Sequence, residues 1–292
     1  MSYLTFLDLK YRPVKEAEAV ILPVPYEATT TYGCGAREAP DAVLAASRQL
    51  EEWDEELNLD VSAKVRIATA PPVTPEAAGP QAMLDKLRKT VQPWIAEGKL
   101  ILAIGGEHTV TLALVQAAQT KYPDLHIVAL DAHADFRERY EGSPLSHACT
   151  LRRLYELGRP MTLLGVRSFS EEEHNFLFVA PRFTMFQART LNSPEGWAAA
   201  LAHLEKISGP VYLSIDADVL DPGVMPGVGT PEPGGLSYYQ VLDIIRTLSQ
   251  RGPVIGVDLV ELAPIPGHRV SEFTAARIIY KTLGYIYRFG GK

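Results

Sequence analysis

Residues 126–135 read HIVALDAHAD, a strand-length apolar run followed at once by three potential metal ligands. The run His126 to Leu130 is typical of a buried β-strand. In extended chain, residues two apart point to the same side, with α-carbons about 6–7 Å apart. The side chains of Asp131, His133 and Asp135, which follow the run, can therefore face a single point.

Apolar runs of this kind recur along the 292 residues and alternate with amphipathic stretches. The strand candidates are Ala19 to Val24, Val65 to Thr69, Leu100 to Ile104, His126 to Leu130, Met161 to Val166, Phe183 to Phe186, Val211 to Ile215 and Val254 to Leu259. The helix candidates include Gln81 to Ala96, Thr111 to Lys121, Ser146 to Leu157, Ser193 to Ile207, Ser237 to Gln250 and Ser271 to Tyr287, the last with a Ser cap at its start. The alternation predicts a three-layer α/β/α fold with a mostly parallel sheet of about eight strands. Because no repeat or long linker divides the chain, we expect one domain over residues 1–292.

Two further strand candidates end in potential ligands. Asp216 and Asp218 follow the run that begins at Val211, and His108 closes the segment GGEH after the run Leu100 to Ile104. In parallel α/β sheets, active sites lie outside the carboxyl ends of the strands. The sequence therefore predicts that four aspartates and two histidines meet at one sheet edge: His108, Asp131, His133, Asp135, Asp216 and Asp218.

Such a cluster needs cations. Each pair of carboxylates about 4 Å apart costs about 4 kcal/mol at an effective dielectric constant near 20. Two divalent ions would neutralise four carboxylates, and ions about 3.5–4 Å apart can share bridging ligands and hold a hydroxide. The oxygen-rich ligand set, with two imidazoles and no thiolate, favours Mn²⁺ over structural zinc. We therefore predict a hydrolase with two Mn²⁺ per subunit.

Composition excludes several classes of partner. The net charge of −7 and the pI of about 5.6 argue against nucleic acid and suit a small cationic substrate. The N-terminus resembles no signal peptide, and no apolar stretch approaches the length of about 20 residues that crosses a membrane. With only two cysteines, Cys34 and Cys149, the chain is expected to be a reduced cytoplasmic protein.

Three motifs together resemble those of the ureohydrolase family, which includes arginases and agmatinases. They are Gly-Gly-x-His at 105–108, Asp-x-His-x-Asp at 131–135 and Asp-x-Asp-x-x-Asp-Pro at 216–222. The loop GTPEPGGL at 229–236 and the region from Pro25 to Ser47 are similar to agmatinase sequences. The resemblance covers nearly the whole chain in the right order, and it implies an arginase-like fold.

The resemblance also implies roles for individual residues. One manganese ion would be bound by His108, Asp131, Asp135 and Asp216, and the other by Asp131, His133, Asp216 and Asp218. A bridging hydroxide, oriented by Asp135, would attack a guanidinium carbon and yield urea and an amine. Glu261 would grip the guanidinium, and His147 would position the substrate or transfer a proton. Relatives of this kind form trimers or hexamers, so we expect a homo-oligomer.

The substrate is less sharply defined by the sequence. Arg137 stands where arginases have an Asn, which favours agmatine, hydrolysed to putrescine and urea, over arginine. Glu138 or Glu141 is a candidate partner for a distal ammonium group. N1-aminopropylagmatine, which would give spermidine, is an alternative, as are guanidinobutyrate and guanidinopropionate, whose carboxylate Arg137 would suit.

Three other readings of the site are weaker. A zinc-dependent polyamine deacetylase needs one metal ion and would leave His108 and Asp135 without a role. A metallophosphatase lacks its Gly-Asn-His segment here, and a non-catalytic relative would be expected to have lost ligands. The remaining conspicuous residues are expected to be packed, exposed, capping or supporting groups: His126, Cys149, His174, His203, Asp221, Asp258 and His268.

Overall fold

A computed structural model describes residues 3–290 of the chain. Its β-strands are Ala19–Val24 (β1), Trp53–Asp54 (β2), Leu59–Asp60 (β3), Ile67–Thr69 (β4), Leu100–Gly105 (β5), His126–Leu130 (β6), Met161–Val166 (β7), Phe183–Gln187 (β8), Val211–Asp216 (β9) and Val254–Val260 (β10). Its α-helices are Ala39–Ser47 (α1), Val61–Lys64 (α2), Pro80–Ala96 (α3), Val110–Ala118 (α4), Thr150–Glu156 (α5), Glu171–Leu177 (α6), Ala188–Leu191 (α7), Pro194–Glu205 (α8), Tyr238–Arg251 (α9) and Val270–Phe289 (α10).

Eight strands form one sheet in the order β4-β1-β5-β10-β9-β6-β7-β8. Every neighbouring pair in this sheet is parallel, whereas β2 and β3 form a separate antiparallel pair. The central strands are buried along nearly their whole length, as expected for a parallel sheet that is covered on both faces. The predicted α/β fold with an eight-stranded parallel sheet is confirmed.

Alternate residues of each strand contribute to two separate hydrophobic cores. In β1, Ala19 and Ile21 pack into the core that also contains residues of α1, α8, α9 and α10. Val20, Leu22 and Val24 face the opposite core, with residues of α3, α4 and α5. Because successive strand side chains point to opposite faces, the two cores lie on the two sides of the sheet and give the three layers.

The expected Ser cap of the last helix is wrong. Helix α10 begins at Val270, one residue earlier, and its N-cap position is Arg269, which makes no capping hydrogen bond with its side chain. The hydroxyl of Ser271 instead accepts a hydrogen bond from the backbone N–H of Gly227 at 2.8 Å. A tertiary contact with a loop thus replaces the local cap.

A buried ion pair joins the β2–β3 segment to α10. Lys281 Nζ lies 3.0 Å from Asp54 Oδ1 and 2.8 Å from Glu56 Oε2, and the side chains of Lys281 and Asp54 are 4% and 0% exposed. Asp54 Oδ1 also accepts backbone N–H groups from Glu56 and Leu57. Because both charges are buried, loss of either one would leave the other uncompensated and destabilise the fold.

His126 lies at the amino end of the sheet, at the start of β6. Its Nε2 is 2.9 Å from Thr162 Oγ1, which in turn is 2.9 Å from His203 Nε2. Burial, followed by the charges of His203 and Arg251, lowers the pKa of His126 to about 4. In the unfolded chain the imidazole has its ordinary pKa of about 6.5.

This shift predicts loss of stability in mild acid. Above about pH 6.5 the ring is neutral in both states, and between about 6.5 and 4 the unfolded state binds the proton preferentially. We expect His126→Asn to reduce the loss of unfolding free energy between about pH 7 and pH 5 by about 1–2 kcal/mol, measured by urea denaturation. The exposed His268→Asn is the control; identical pH dependence in wild type and His126→Asn would contradict this prediction.

No helix within residues 3–290 combines the length and the apolar character needed to cross a membrane.

Candidate active site

The carboxyl ends of four neighbouring strands carry the predicted site residues. In the sheet these strands follow one another as β5-β10-β9-β6. His108 follows β5, Glu261 follows β10, Asp216 ends β9 and Asp131 follows β6. Because parallel strands end at the same sheet edge, residues that lie up to 153 positions apart in sequence become neighbours.

His108 is surrounded by three of the aspartates. Its Nδ1 lies 3.1 Å from Asp135 Oδ2, 3.3 Å from Asp131 Oδ2 and 3.5 Å from Asp216 Oδ2. All four side chains are less than 10% exposed. One imidazole nitrogen and three carboxylate oxygens therefore converge on a buried point, which is a donor set suited to a divalent cation.

His133 completes a second group with the remaining aspartate. Its Nδ1 lies 2.8 Å from Asp218 Oδ2 and 3.9 Å from Asp131 Oδ1. Asp131 belongs to both groups, with one carboxylate oxygen directed at each. The structure thus brings all six predicted ligands together, and it gives Asp131 the placement of a shared ligand.

The residues fit a cation on two counts. Asp131 Oδ2 is buried and has no hydrogen-bond partner, since the hydrogen bond of His108 Nδ1 goes to Asp135. Burial, and then the charges of neighbouring aspartates, raises the pKa of Asp131 to about 7 and that of Asp216 well above its ordinary range. The surrounding protein therefore disfavours the ionised form of both carboxylates, whereas bound cations would favour it.

Asp218 and His133 behave as an ion pair. Although burial opposes the charge of Asp218, its hydrogen bond with His133 lowers its pKa. Burial also disfavours the protonated imidazole of His133, but the same contact outweighs that effect and raises its pKa to about 10. A cation that displaced this proton would occupy the same position between the two side chains.

Two site residues have left-handed backbone conformations, which residues other than glycine seldom adopt. Asp135 has φ of 49° and Glu261 has φ of 60°. Each such residue costs about 1–3 kcal/mol and persists only where its surroundings hold it. The backbone N–H of Glu261 donates to Gly106 O at 2.9 Å, and its Oε1 accepts from the backbone N–H of His108 at 2.5 Å. These bonds tie Glu261 to the His108 segment.

A cleft opens beside the six predicted ligands. Glu261, His147, Asp216 and Asp218 line it, together with loop residues and aromatic side chains that include Tyr32, Tyr140 and Phe169. The carboxylate of Glu261 and the imidazole of His147 thus share one cavity with the aspartates. We expected Glu138 or Glu141 near the distal end of a substrate, but both are exposed and neither lines the cleft.

Several supporting residues were not expected from the sequence. Ser214 in β9 lies 3.2 Å from His108 Nε2 and donates to Asp258 Oδ1 at 2.6 Å. If His108 Nδ1 faces a cation, Nε2 carries the hydrogen and donates it to Ser214 Oγ, which orients the ring. Asp258, expected to be a supporting or capping residue, therefore acts on the cluster through Ser214.

Arg167 fixes the segment that carries Asp218. Its guanidinium donates to the carbonyl oxygen of Asp218 at 2.8 Å and to that of Glu232 at 2.6 Å. Further hydrogen bonds reach the carbonyl groups of Gly165, Val219, Leu220 and Pro233. The planar guanidinium can serve several carbonyls at once, which a lysine ammonium could not do in the same geometry. No sequence motif marks this role.

The other conspicuous residues lie outside the cluster. His126 and His203 contact Thr162, and His174 and His268 are exposed. Cys149 is buried, and burial raises the pKa of its thiol to about 11, which disfavours the thiolate that a nucleophile needs. Asp221 is a loop cap, since it accepts the backbone N–H groups of Gly223, Gly234 and Gly235.

Comparison with known proteins identifies the family. Residues 17–284 match the model of the arginase family. The chain is 43% identical to an N(1)-aminopropylagmatine ureohydrolase of Synechocystis sp. over 92% of this chain and 89% of that protein. It is 35% identical to an agmatinase of Bacillus anthracis over 87% and 86% of the two chains. The crystal structure of agmatine ureohydrolase of Thermoplasma volcanium superposes with a TM-score of 0.85 at 29% identity, covering 94% of this chain and 92% of that one. The fold, the His/Asp cluster and these similarities agree, and the chain belongs to the arginase family as a ureohydrolase with a metal-binding cluster.

Proposed function

We propose that this chain hydrolyses N1-aminopropylagmatine to spermidine and urea. The observation that carries the proposal is the higher identity, 43% against 35%, to a relative named for that substrate than to an agmatinase. Agmatine, which the sequence favoured, becomes the second candidate. The two molecules share the guanidinium that is cleaved and differ only in an aminopropyl extension at the distal end.

We further propose that two Mn²⁺ ions occupy the cluster. One would be held by His108, Asp131, Asp135 and Asp216, and the other by Asp131, His133, Asp216 and Asp218, with Asp131 and Asp216 in common. The contacts around His108 and His133 support this division, because Asp131 directs one carboxylate oxygen to each group. Bound ions of this kind lower the pKa of water and would supply a hydroxide that attacks the guanidinium carbon.

Glu261 is proposed to bind the guanidinium. Its carboxylate lines the cleft, and burial raises its pKa well above its ordinary range. A substrate guanidinium would favour the ionised carboxylate and could offer it two parallel N–H groups. His147, in the same cleft, is proposed to give a proton to the departing amine nitrogen, and Asp135 to hold and orient the attacking water. The aromatic side chains of the cleft offer an apolar wall to the methylene groups of the substrate.

Urea release from a panel of guanidines tests the substrate. We expect Mn²⁺-loaded protein to show kcat/KM for N1-aminopropylagmatine about tenfold or more above that for agmatine, since one additional ammonium contact of about 1.4 kcal/mol suffices. Guanidinobutyrate tests whether Arg137, which lines the cleft, accepts a carboxylate, and arginine is the further comparison. Preference for agmatine would contradict the proposed substrate and leave the ureohydrolase chemistry standing.

Metal content distinguishes the proposal from a zinc deacetylase. We expect two ions per subunit and no release of acetate from acetylated polyamines. A single zinc ion per active subunit would contradict the binuclear site.

We also propose a single domain over residues 1–292. From the family we propose a homotrimer or homohexamer, and light scattering of the metal-loaded protein would measure its mass.

Glu261→Gln separates substrate binding from metal binding. A neutral amide loses the charge-assisted contact with the guanidinium, and such contacts contribute about 1.5–3 kcal/mol. We therefore expect kcat/KM to fall by about 10–100-fold, largely through KM, while the protein keeps both ions. Steady-state urea release and elemental analysis measure the two effects. Glu138→Gln, on an exposed side chain outside the cleft, is the control. If Glu261→Gln lost metal ions together with activity, Glu261 would belong among the metal ligands instead.

A further inference from the structure

Glu107 is a buried carboxylate that none of the roles above uses. It lies between Gly106 and His108, and its residue is 0% exposed. Its Oε2 accepts the backbone N–H groups of Ala28 at 2.6 Å and Thr29 at 2.7 Å. Its Oε1 lies 3.1 Å from Thr29 Oγ1. The two backbone N–H groups are donors, and the hydroxyl of Thr29 can donate as well, so the buried carboxylate has the hydrogen-bond partners it requires.

The hydroxyl of Thr29 connects this carboxylate to His147. Thr29 Oγ1 accepts the backbone N–H of His147 at 2.9 Å and lies 3.2 Å from His147 Nδ1. Thr29 does not line the cleft, whereas His147 does. Ser146 Oγ is also 3.5 Å from Nδ1, a longer contact than that of Thr29.

The direction of each hydrogen bond follows from counting donors. A hydroxyl has one hydrogen to donate and two lone pairs. A carboxylate only accepts, and hydrogen bonds to it are about twice as strong as neutral ones, so the Thr29 hydrogen goes to Glu107. Both lone pairs of Thr29 Oγ1 are then left for His147, one for its backbone N–H and one for its ring. The ring nitrogen Nδ1 must therefore carry a hydrogen.

We infer that Glu107 and Thr29 are positioning residues that fix the tautomer of His147. Neutral His147 holds its hydrogen on Nδ1, and Nε2 is the nitrogen that gains and loses a proton on the cleft side. This inference rests on the proposed function for its chemical meaning. In the hydrolysis, the bond between the guanidinium carbon and the alkyl nitrogen breaks and water supplies the urea oxygen. The alkyl nitrogen takes a proton, which protonated His147 gives from Nε2 and later regains from the attacking water.

Glu107→Gln should reverse the tautomer. The amide oxygen can still accept the N–H groups of Ala28 and Thr29, but the amide nitrogen now donates to Thr29 Oγ1. With that donor and the backbone N–H of His147 both on its lone pairs, the Thr29 hydroxyl must donate to His147 Nδ1. The imidazole hydrogen then moves to Nε2. One carboxylate oxygen exchanged for an NH₂ group thus changes a proton position two hydrogen bonds away.

Nitrogen-15 spectra of labelled histidines read the tautomer directly. The full-length protein would carry diamagnetic Mg²⁺ in place of Mn²⁺, and His147→Gln would assign the signal at a pH where the ring is neutral. We expect a hydrogen on Nδ1 in the wild type and on Nε2 in Glu107→Gln, with the metal content of both unchanged. A hydrogen on Nε2 in the wild type, or the same tautomer in both proteins, would overturn the inference.

Kinetics of Thr29 variants give an independent readout. We expect Thr29→Val to lower kcat by about 10–100-fold with KM unchanged, because proton transfer by a positioned group contributes about 10²–10⁴-fold. Thr29→Ser keeps the hydroxyl and should retain most of kcat. Equal losses in the two variants, or none in Thr29→Val, would refute the role of the hydroxyl. A wild type that releases no urea from any guanidine, yet shows the expected tautomers, would refute only the proposed function.

Discussion

Urea release should fall by about 10³-fold or more in Asp131→Asn, because several kcal/mol of charge stabilisation are lost and each 1.36 kcal/mol is a factor of ten. Asp131 is the residue that both halves of the cluster share, with Oδ2 3.3 Å from His108 Nδ1 and Oδ1 3.9 Å from His133 Nδ1. A neutral amide removes one negative charge from both metal positions at once. We therefore expect the variant to lose both ions, measured by elemental analysis after gel filtration, together with turnover.

Asp124→Asn is the matched control for that variant. Asp124 is an exposed aspartate outside the cluster, and it should keep two ions and full activity after the same substitution. An Asp131→Asn protein that retained both ions and turned over at the wild-type rate would show that Asp131 is not a shared ligand. Retention of one ion with loss of activity would place Asp131 on one side of the cluster only.

Lys281→Met should lower the free energy of unfolding by about 3–5 kcal/mol, because removal of one partner leaves a buried charge uncompensated. Lys281 has 4% of its side chain exposed and lies 3.0 Å from the fully buried carboxylate of Asp54. The methionine side chain fills a similar volume. The loss of unfolding free energy would therefore come mainly from the uncompensated charge of Asp54 and less from a cavity. Chemical denaturation of the protein at fixed metal concentration is the measurement.

An exposed ion pair elsewhere in the fold provides the comparison. Arg48 and Asp8 lie 3.2 Å apart, but their side chains are 44% and 65% exposed. Exposed pairs of this kind contribute about 0–1 kcal/mol, so Arg48→Met should change the free energy of unfolding very little. The double variant Lys281→Met with Asp54→Asn should recover part of the loss, since it removes both charges. Equal losses for Lys281→Met and Arg48→Met would contradict the importance of burial.

The architecture and the clustering of the six side chains could be predicted because short stretches of sequence indicate them. A period of two predicts that Asp131, His133 and Asp135 lie close together, and strand ends predict Asp216 and His108 at the same sheet edge. The structure confirms the common sheet edge, but the three residues do not face one point: Asp135 lies with His108 and Asp131, and His133 lies with Asp131 and Asp218. The left-handed backbone of Asp135 departs from the extended chain on which the expectation rests. No sequence motif identified in the chain distinguishes agmatine from N1-aminopropylagmatine, so the proposed substrate depends on similarity to relatives instead.

The supporting residues lie beyond the reach of local patterns. Thr29 and Glu107 are 78 residues apart, and Lys281 and Asp54 are 227 apart, so their pairing depends on the finished packing. The left-handed backbone of Asp135 and Glu261 has no residue signature, since glycine is the usual occupant of such positions. The cap expected at Ser271 fails for the same reason, because a distant loop competes for its hydroxyl.

The position of β10 makes assembly of the site depend on a segment that follows the other strands in sequence. Among the strands of residues 3–290, β10 comes last in sequence, yet it pairs with β5 on one side and β9 on the other, in the middle of the sheet. On the ribosome, a nascent polypeptide that stops before residue 254 has a gap between the segment bearing His108 and the one bearing Asp216. The sheet edge that carries the cluster is therefore complete only after β10 has been made, and shorter nascent chains lack the assembled pocket.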